Sequence, residues 1–428
     1  MSEGKKRIVV TGMAVNTPLG DDLDSYFDNL VAGKSALTNW KCVDPSGIYS
    51  KVGGDLSSYD VAAAVQRLQA ELPADCHKRL RKLCKKAPFS TQLSMLTACR
   101  AFVDARLAGQ LDPTRWAIIV GGHNLNKLYQ HHNTEQFRKE PDYIDSLASL
   151  LALDTDHAGS VGEVLGCKGP IYTMGGACAS GNVALRNAVD EIRFHDYDLV
   201  MVVGAALEFA PMDLHAMALM GAISFKSFND EPTRASRPYD TAREGFVPSH
   251  GTGVLVVESL AHAKARGANI HAEVLHVTAL SDGNHLPQPS EDGQARTMTR
   301  VLEHAGVALE EIDFVCAHAT STPLGDLTEI RSIKKVFGKH AYQLKVNAPK
   351  SMLGHTCWSA PTVEAVAGIL QMNRGILHPS INIDHIDPEI DLDVCANQAV
   401  KHPVRTFLKN AFGFGGINCC ALFRRFED

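Results

Sequence analysis

A cysteine at position 178 lies in a run of small residues that could support nucleophilic chemistry. The run covers residues 175–181 (Gly-Gly-Ala-Cys-Ala-Ser-Gly), after a β-leaning segment at 171–173 and before a helical pattern that starts near Val183. This order places Cys178 at a strand-to-helix turn, where the helix dipole and free backbone N–H groups favour a thiolate and bind a developing oxyanion. The alternative is an inert buried thiol, the ordinary state of a core cysteine.

Two histidines, His318 and His355, follow short strand-like runs and enter glycine-containing loops. Loops at strand ends are where α/β enzymes place working residues, and a nucleophilic thiol needs a base or cation to assist it. The chain contains 19 histidines, so a structural or solvated role is the alternative for each of these two.

A third candidate feature is the Gly-Phe loop at residues 410–418, which contains Phe412 and Phe414 and precedes a closing strand. Glycines there would allow a mobile backbone to approach a ligand closely. The alternative interpretation is a flexible turn with two packed aromatic rings.

The elements that must position these residues alternate between strand and helix. Short aliphatic runs at 8–12, 118–122 and 199–204 end in glycine, and helical periodicity occupies 94–107 and 183–194 between them. The second half repeats this rhythm, which favours an α/β fold with buried parallel or mixed sheets. We therefore expect two related halves, residues 1–258 carrying the cysteine and residues 259–428 carrying both histidines.

Composition and charge exclude several other classes. The 428 residues are 45% hydrophobic and 21% charged, which is typical of a soluble protein with a sizeable core. The net charge of −6 argues against general nucleic-acid binding. The first residues carry no apolar segment of signal length and no run approaches a membrane span, so we expect a cytoplasmic protein.

Motifs for metals and nucleotides are missing as well. The 11 cysteines show no repeating spacing and no Cys-x-x-Cys pair, so buried thiols are expected rather than disulfides or a metal site. Gly33-Lys34-Ser35 resembles the end of a phosphate loop, but Asp28 stands where that motif requires glycine.

Six segments in register resemble the β-ketoacyl-acyl carrier protein synthases of the elongating Cys-His-His type, over nearly the whole chain. The segments are residues 9–20, 177–181 (Ala-Cys-Ala-Ser-Gly), 236–247, 318–326 (His-Ala-Thr-Ser-Thr-Pro-Leu-Gly-Asp), 350–355 (Lys-Ser-Met-Leu-Gly-His) and 412–416 (Phe-Gly-Phe-Gly-Gly). The resemblance implies a five-layered αβαβα thiolase-like fold made of two related halves, usually assembled as a homodimer.

The resemblance also implies roles for individual residues. Cys178 would carry an acyl chain taken from the phosphopantetheine arm of an acyl carrier protein, with no tightly bound cofactor. His318 and His355 would hold a malonyl-type extender while it loses CO2 and its carbanion attacks. The remaining expected roles are oxyanion binding and gating by Phe414 and Phe412, orientation of the histidine loops by Lys350, and polar support from Asp326 and Glu364.

A basic stretch at residues 77–86 departs from the acidic balance of the chain. By itself it predicts a solvated helix face. Relatives carry a basic helix near the pocket mouth and carrier proteins are acidic, so the resemblance suggests carrier docking at Lys78, Arg79, Arg81 and Lys82.

Several positions depart from the family pattern and indicate a specialised member, from polyketide or other secondary metabolism. Ala319 stands where relatives have glycine, and residues 357–361 (Cys-Trp-Ser-Ala-Pro) replace a run of small residues. Three alternatives remain open at this stage: a condensing ketosynthase, an acyltransferase or decarboxylase that does not condense, and a non-catalytic chain-length-factor-like subunit paired with a homologue. The polar segment 125–152 covers either a site or an interface.

Overall fold

The computed structural model describes residues 6–427. Residues 1–5, on which the expectation of no signal segment partly rests, and residue 428 lie outside the described part. Within it the strands are β1 (Ile8–Asn16), β2 (Thr38–Asn39), β3 (Val52–Gly53), β4 (Trp116–Gly121), β5 (Ile171–Met174), β6 (Leu199–Gly204), β7 (Thr252–Ser259), β8 (Ala272–Ser281), β9 (Phe314–Cys316), β10 (Lys345–Asn347), β11 (Ile376–Leu377), β12 (Val400–Lys401), β13 (Thr406–Gly413) and β14 (Ile417–Arg424).

The helices alternate with these strands along the chain. They are α1 (Leu23–Val31), α2 (Val61–Arg67), α3 (Ala74–Leu83), α4 (Phe89–Asp104), α5 (Lys127–Lys139), α6 (Ala148–Leu151), α7 (Thr155–Leu165), α8 (Ser180–Phe194), α9 (Pro211–Leu219), α10 (Leu260–Ala265), α11 (Glu291–Ala305), α12 (Pro323–Phe337), α13 (Lys350–Leu353) and α14 (Ala360–Arg374). The two helical patterns expected at 94–107 and 183–194 correspond to α4 and α8. In the described part of the chain, no helix is both long and apolar enough to cross a bilayer.

Ten strands form one sheet in the order β10-β9-β13-β14-β8-β1-β7-β6-β4-β5. The sheet consists of two five-stranded halves with the same internal order, joined where β1 and β8 pair antiparallel over three residues. In one half β4 runs parallel to β5 and β6 while β7 runs antiparallel to β6 and β1. The other half repeats this pattern. Strand β9 runs parallel to β10 and β13, whereas β14 runs antiparallel to β13 and β8.

Helices cover both halves of the sheet and fill the space between them. Helices α8 and α14 contact each other and strands of both halves, α4 and α7 cover the outer face of the first half, and α11 covers that of the second, with α12 packed on α11. Three large clusters of buried apolar side chains correspond to these layers. One surrounds α8 and α14, one lies under α4 and α7, and one lies under α11 and α12. The predicted five-layered αβαβα fold of two related halves is confirmed.

The inner helices begin in the same way in both halves. A 3-10 turn at Ala177–Ala179 precedes α8, and a 3-10 turn at Cys357–Ser359 precedes α14. Ala177 and Cys357 open these turns with φ of 46° and 52°, a left-handed conformation that L-residues adopt only under local constraint. The two turns contact each other, so the candidate nucleophile of one half meets the loop after His355 of the other.

The close seating of α14 on the sheet gives a stability prediction. A Cβ on Gly253 of β7 would lie 2.5 Å from the backbone nitrogen of Val363 in α14. We expect Gly253→Ala to lower the free energy of unfolding by about 2–3 kcal/mol, because neither backbone can give way. Denaturant unfolding measures this effect.

The matched control is Gly159→Ala in α7, where an added Cβ meets no atom of residues 6–427 within 4 Å. Alanine is favoured over glycine inside a helix by about 0.5–1 kcal/mol, so this variant should be as stable as the wild type or slightly more so. Equal unfolding midpoints for the two variants would contradict the packing argument.

Candidate active site

Cys178 lies in the turn between β5 and α8, as the small residues around it predict. Its side chain is buried, with 7% of the residue exposed, at the inner end of a cavity of about 710 Å³. Burial raises the pKa of the thiol to about 11, while the Lys350 ammonium and the backbone N–H groups of Phe414 and Cys178 act in the opposite direction. Both N–H groups thus lie close to the sulfur, where they can reach the oxygen of an acyl group carried on it.

The approach of Phe414 depends on the glycine before it. A Cβ on Gly413 would lie 2.9 Å from the carbonyl oxygen of Gly176 and 3.1 Å from the nitrogen of Cys178. The end of β13 therefore packs directly on the turn that carries the cysteine. The Gly-Phe loop expected from the sequence reaches the site by this contact.

His318 and His355 enter the same cavity, His318 from the end of β9 and His355 from the loop that follows α13 rather than from the end of β10. Their ring centroids are 5.5 Å apart in an edge-on arrangement, and the His318 ring also meets that of Phe412 at 5.8 Å. Glu329 anchors the His318 loop, because its carboxylate accepts the backbone N–H groups of His318 and Ala319 at 2.9 and 2.8 Å.

Both imidazoles are held in the neutral form. Burial and the nearby Lys350 ammonium keep the pKa values of His318 and His355 well below the usual range. Nδ1 of His355 accepts the backbone N–H of Cys357 at 3.2 Å, which leaves the proton on Nε2. That Nε2 is buried without a hydrogen-bond partner in the described structure, so it is available as a donor to a bound oxygen.

Lys350 and Glu364, predicted as an orienting lysine and a supporting carboxylate, form a buried ion pair beside the site. Lys350 begins α13, five residues before His355, and Glu364 lies in the first turns of α14. Sequence reasoning missed a third member, Lys409 of β13, whose Nζ lies 2.8 Å from Oε2 of Glu364. Because β13 also contains Thr406 and Asn410, the sequence around Lys409 gave no sign of this buried partner.

Asp326, the other residue predicted to give polar support, does not line the cavity but holds a loop that does. It is fully buried and accepts backbone N–H groups of Ser321 and Tyr239 at 3.0 and 3.1 Å, which fixes the loop after His318. Burial raises its pKa to about 6 against the opposing effect of Arg243.

The cavity opens between apolar side chains. Met220, Leu286 and Leu324 line it and are at least half exposed, and Phe414, 39% exposed, lines it together with Phe412. The four basic residues proposed for carrier docking lie on α3 and do not line this cavity.

The docking residues differ in their surroundings. Lys78, Arg81 and Lys82 are exposed, whereas the guanidinium of Arg79 donates to the carbonyl oxygen of Val164 at 3.0 and 3.1 Å. Arg79 therefore ties α3 to α7.

Apart from this site, Cys42, Asp55 and His250 bring three potential metal-ligand atoms within 4.8 Å of one another. The sequence showed no such cluster, because the three residues come from separate segments. Asp55 accepts backbone N–H groups of Cys42 and Ser57, and Nδ1 of His250 accepts that of Leu56 at 3.2 Å. The carboxylate and that imidazole nitrogen are thus already engaged by the protein.

Comparison with known families identifies the chain. Residues 5–263 match the model of the beta-ketoacyl synthase N-terminal domain, and residues 271–384 match that of the C-terminal domain. The chain belongs to the beta-ketoacyl synthase family. It is therefore a condensing acyltransferase, as its resemblance to these enzymes predicted.

Relatives and solved structures agree with this assignment. The chain is 35% identical over 433 residues to the chloroplastic 3-oxoacyl-[acyl-carrier-protein] synthase I of Arabidopsis thaliana, covering 100% of this chain and 88% of that protein. It superimposes on the ishigamide ketosynthase/chain length factor with a TM-score of 0.88 and 28% identity, covering 99% and 100% of the two chains. A type II PKS acyl-carrier protein complex with its hexaketide-bound ketosynthase gives a TM-score of 0.85 and 27% identity over 99% and 100%.

The contact between Gly413 and the cysteine turn gives a prediction for this synthase. In Gly413→Ala the added Cβ would push the end of β13 away from Cys178 and withdraw the Phe414 N–H from the sulfur. We expect acylation of the enzyme to slow about 100-fold, the usual effect of losing one oxyanion donor. Stopped-flow acylation with an acyl thioester measures the rate.

Gly47→Ala serves as the control, because a Cβ there meets no atom of the described part of the chain within 4 Å. Wild-type acylation by folded Gly413→Ala would show that the Phe414 N–H does not support acyl transfer.

Proposed function

We propose that this synthase performs a decarboxylative Claisen condensation between an acyl chain on Cys178 and a malonyl-type extender on an acyl carrier protein. The observation that carries the proposal is the convergence of Cys178, His318 and His355 in one cavity, with two backbone N–H groups facing the sulfur. The relatives named as carrier-protein synthases and the ketosynthase complex with its carrier support the same partner.

In the first half-reaction the Cys178 thiolate attacks the carbonyl carbon of an acyl thioester. A new C–S bond forms, the old one breaks, and the pantetheine thiol of the carrier leaves with a proton. The N–H groups of Cys178 and Phe414 would bind the oxyanion during this transfer.

In the second half-reaction the extender thioester carbonyl would lie against His318 and His355. The bond to its carboxylate breaks, CO2 leaves, and the electron pair remains as an enolate whose oxygen two neutral imidazole N–H groups can stabilise. The enolate carbon then attacks the Cys178 thioester, which forms the C–C bond and returns the thiolate. A polyketide or specialised fatty-acid product is our proposal for the pathway.

Carrier docking at α3 is a further proposal, restricted to Lys78, Arg81 and Lys82 because Arg79 is tied to α7. Exposed cations of this kind attract an acidic carrier in a salt-sensitive way. The carrier supplies the substrates on its phosphopantetheine arm, and the roughly 710 Å³ cavity gives that arm a path to Cys178.

We propose a homodimer with segment 125–152 at its interface. Strand β5 is one of the two edge strands of the ten-stranded sheet, and the segment from α5 to α6 carries exposed Phe137, Tyr143 and Leu150. An open sheet edge and an exposed apolar group each favour pairing with another chain. Pairing with a homologue is the alternative. The boundary at residues 258/259 and the cytoplasmic location stay predictions.

The role of Cys178 is tested by intact-protein mass spectrometry after incubation with a panel of acyl-carrier proteins. We expect a mass gain equal to one acyl group in the wild type and none in Cys178→Ala. Cys167→Ala, which removes another partly accessible thiol, should keep the gain.

Condensation is tested by adding a malonyl-carrier protein to the acylated enzyme. Chain extension supports the proposal. Release of CO2 without extension would indicate a decarboxylase. Acylation without either step would indicate an acyltransferase. An inert Cys178, in a chain that is stable only when paired with a homologue, would indicate a partner subunit.

The neutral histidines give a pH prediction. Because the pKa values of His318 and His355 are held well below the usual range, both stay neutral donors as the pH falls through about 6.5, where an ordinary histidine gains its proton. We expect the decarboxylation rate of malonyl-carrier protein to change less than about twofold between pH 7.5 and 6. Release of labelled CO2 measures this rate, and a halving centred near pH 6.5 would contradict it.

A further inference from the structure

Three charged side chains meet in the interior beside the site. Lys350, Glu364 and Lys409 are each 1% exposed or less, and each comes from a different element. Glu364 presents Oε1 to Lys350 and Oε2 to Lys409, whose Nζ lies at 2.8 Å. We call these three residues the buried triad. With two ammonium groups and one carboxylate, the buried triad carries one positive charge in excess.

The position of Lys409 on β13 explains how it reaches Glu364. Phe407, Lys409 and Ala411 alternate along the strand on the face that packs against the middle helices, where Phe407 and Ala411 join the apolar core. The backbone carbonyl of Lys409 is also held by Asn182 of α8. Lys409 is thus a charge held in place between apolar neighbours on its strand, and it is not among the residues predicted from the sequence.

We propose that Lys409 is a positioning residue that pairs with the second oxygen of Glu364 and so leaves the Lys350 ammonium to act on Cys178. Without Lys409, Glu364 and Lys350 would form a one-to-one pair, and the negative partner would cancel most of the field of Lys350 at the sulfur. With Lys409 present, the carboxylate is shared and the excess positive charge remains. The inference rests on the proposed nucleophilic role of Cys178.

Other charged or titratable groups around Lys409 do not replace this partner. Cys316, Cys419 and Cys420 on β9 and β14 are buried thiols whose pKa values are raised by burial, so they remain neutral. Glu329 of α12 also raises the pKa of Lys409, but less than Glu364 does, and its carboxylate accepts backbone N–H groups at residues 318 and 319 and the amide of Asn410.

Burial and Lys409 lower the pKa of Lys350 and Glu364 raises it, so the shared carboxylate is what keeps the Lys350 ammonium protonated. Burial raises the pKa of Cys178. Lys350 is the group that lowers it most, and Glu364 raises it. Lys409, together with burial and Lys350, helps to keep the pKa values of His318 and His355 low. The excess charge therefore favours both a thiolate at Cys178 and neutral donors at the two histidines.

The test is the rate of Cys178 alkylation by iodoacetamide between pH 7 and 10, followed by mass spectrometry of the peptide that contains it. In Lys409→Met the remaining Lys350–Glu364 pair is neutral, so no charge is left unpaired. We expect the rate profile to move to higher pH by about one unit, which lowers the rate at pH 8 about tenfold. Because Lys409 does not line the cavity, acylation should show a lower kcat with an unchanged KM for the donor.

Two further variants separate charge from packing. Lys409→Arg keeps the charge and should stay within about threefold of the wild type. Lys409→Gln removes the charge but keeps a polar side chain that can donate to the carbonyl oxygen of Asn410, so its profile should move to higher pH as in Lys409→Met. This variant also carries the test if Lys409→Met alone does not fold.

Lys334→Met is the control, since Lys334 pairs with Asp391 at 2.8 Å on the surface of α12. An alkylation profile of Lys409→Met that matches both the wild type and Lys334→Met would overturn the inference, as would a Lys409→Gln profile that matches the wild type. Failure of the wild type to be acylated at Cys178 would instead overturn the proposed function, so the two failures can be told apart.

Discussion

The packing of α8 and α14 against each other, between the two halves of the sheet, is the constraint on which the site depends. Each helix starts from a turn with a left-handed residue, Ala177 in one case and Cys357 in the other, and the two turns touch. Neither half of the chain contains a complete site. Only the shared middle layer brings the cysteine of the first half to the histidine loops of the second.

Burial in that layer has opposite consequences for the two kinds of functional group. Desolvation raises the pKa of Cys178, which disfavours the thiolate, and lowers the pKa values of His318 and His355, which favours neutral donors. A charged partner is therefore needed for the thiol and not for the imidazoles. In a low-dielectric interior a single ammonium acts strongly over several ångströms, so the balance within the buried triad controls the thiol.

Features that depend on local sequence could be predicted. The turn at Cys178 follows from its small neighbours, and the placing of His318 follows from the strand run before it. The short helix α13 between β10 and His355 was not predicted. Family resemblance added Lys350 and Glu364, which the structure joins as an ion pair. Lys409 and the tie between Arg79 and Val164 could not be predicted, because each depends on which strand or helix lies opposite. A lysine in a strand carries no local sign of a buried partner 45 residues earlier in the chain.

The hairpin of β13 and β14 links the electrostatic and the geometric requirements of the site. It supplies Lys409 to the buried triad, the close contact of Gly413 with the cysteine turn, and the Phe414 N–H that faces the sulfur. Its register is continuous from Thr406 to Gly413, so these features cannot shift independently. A displacement that lengthened the Lys409–Glu364 contact would also move the Phe414 N–H. The charge that acts on Cys178 and the donor that would stabilise its oxyanion are therefore held by one rigid element.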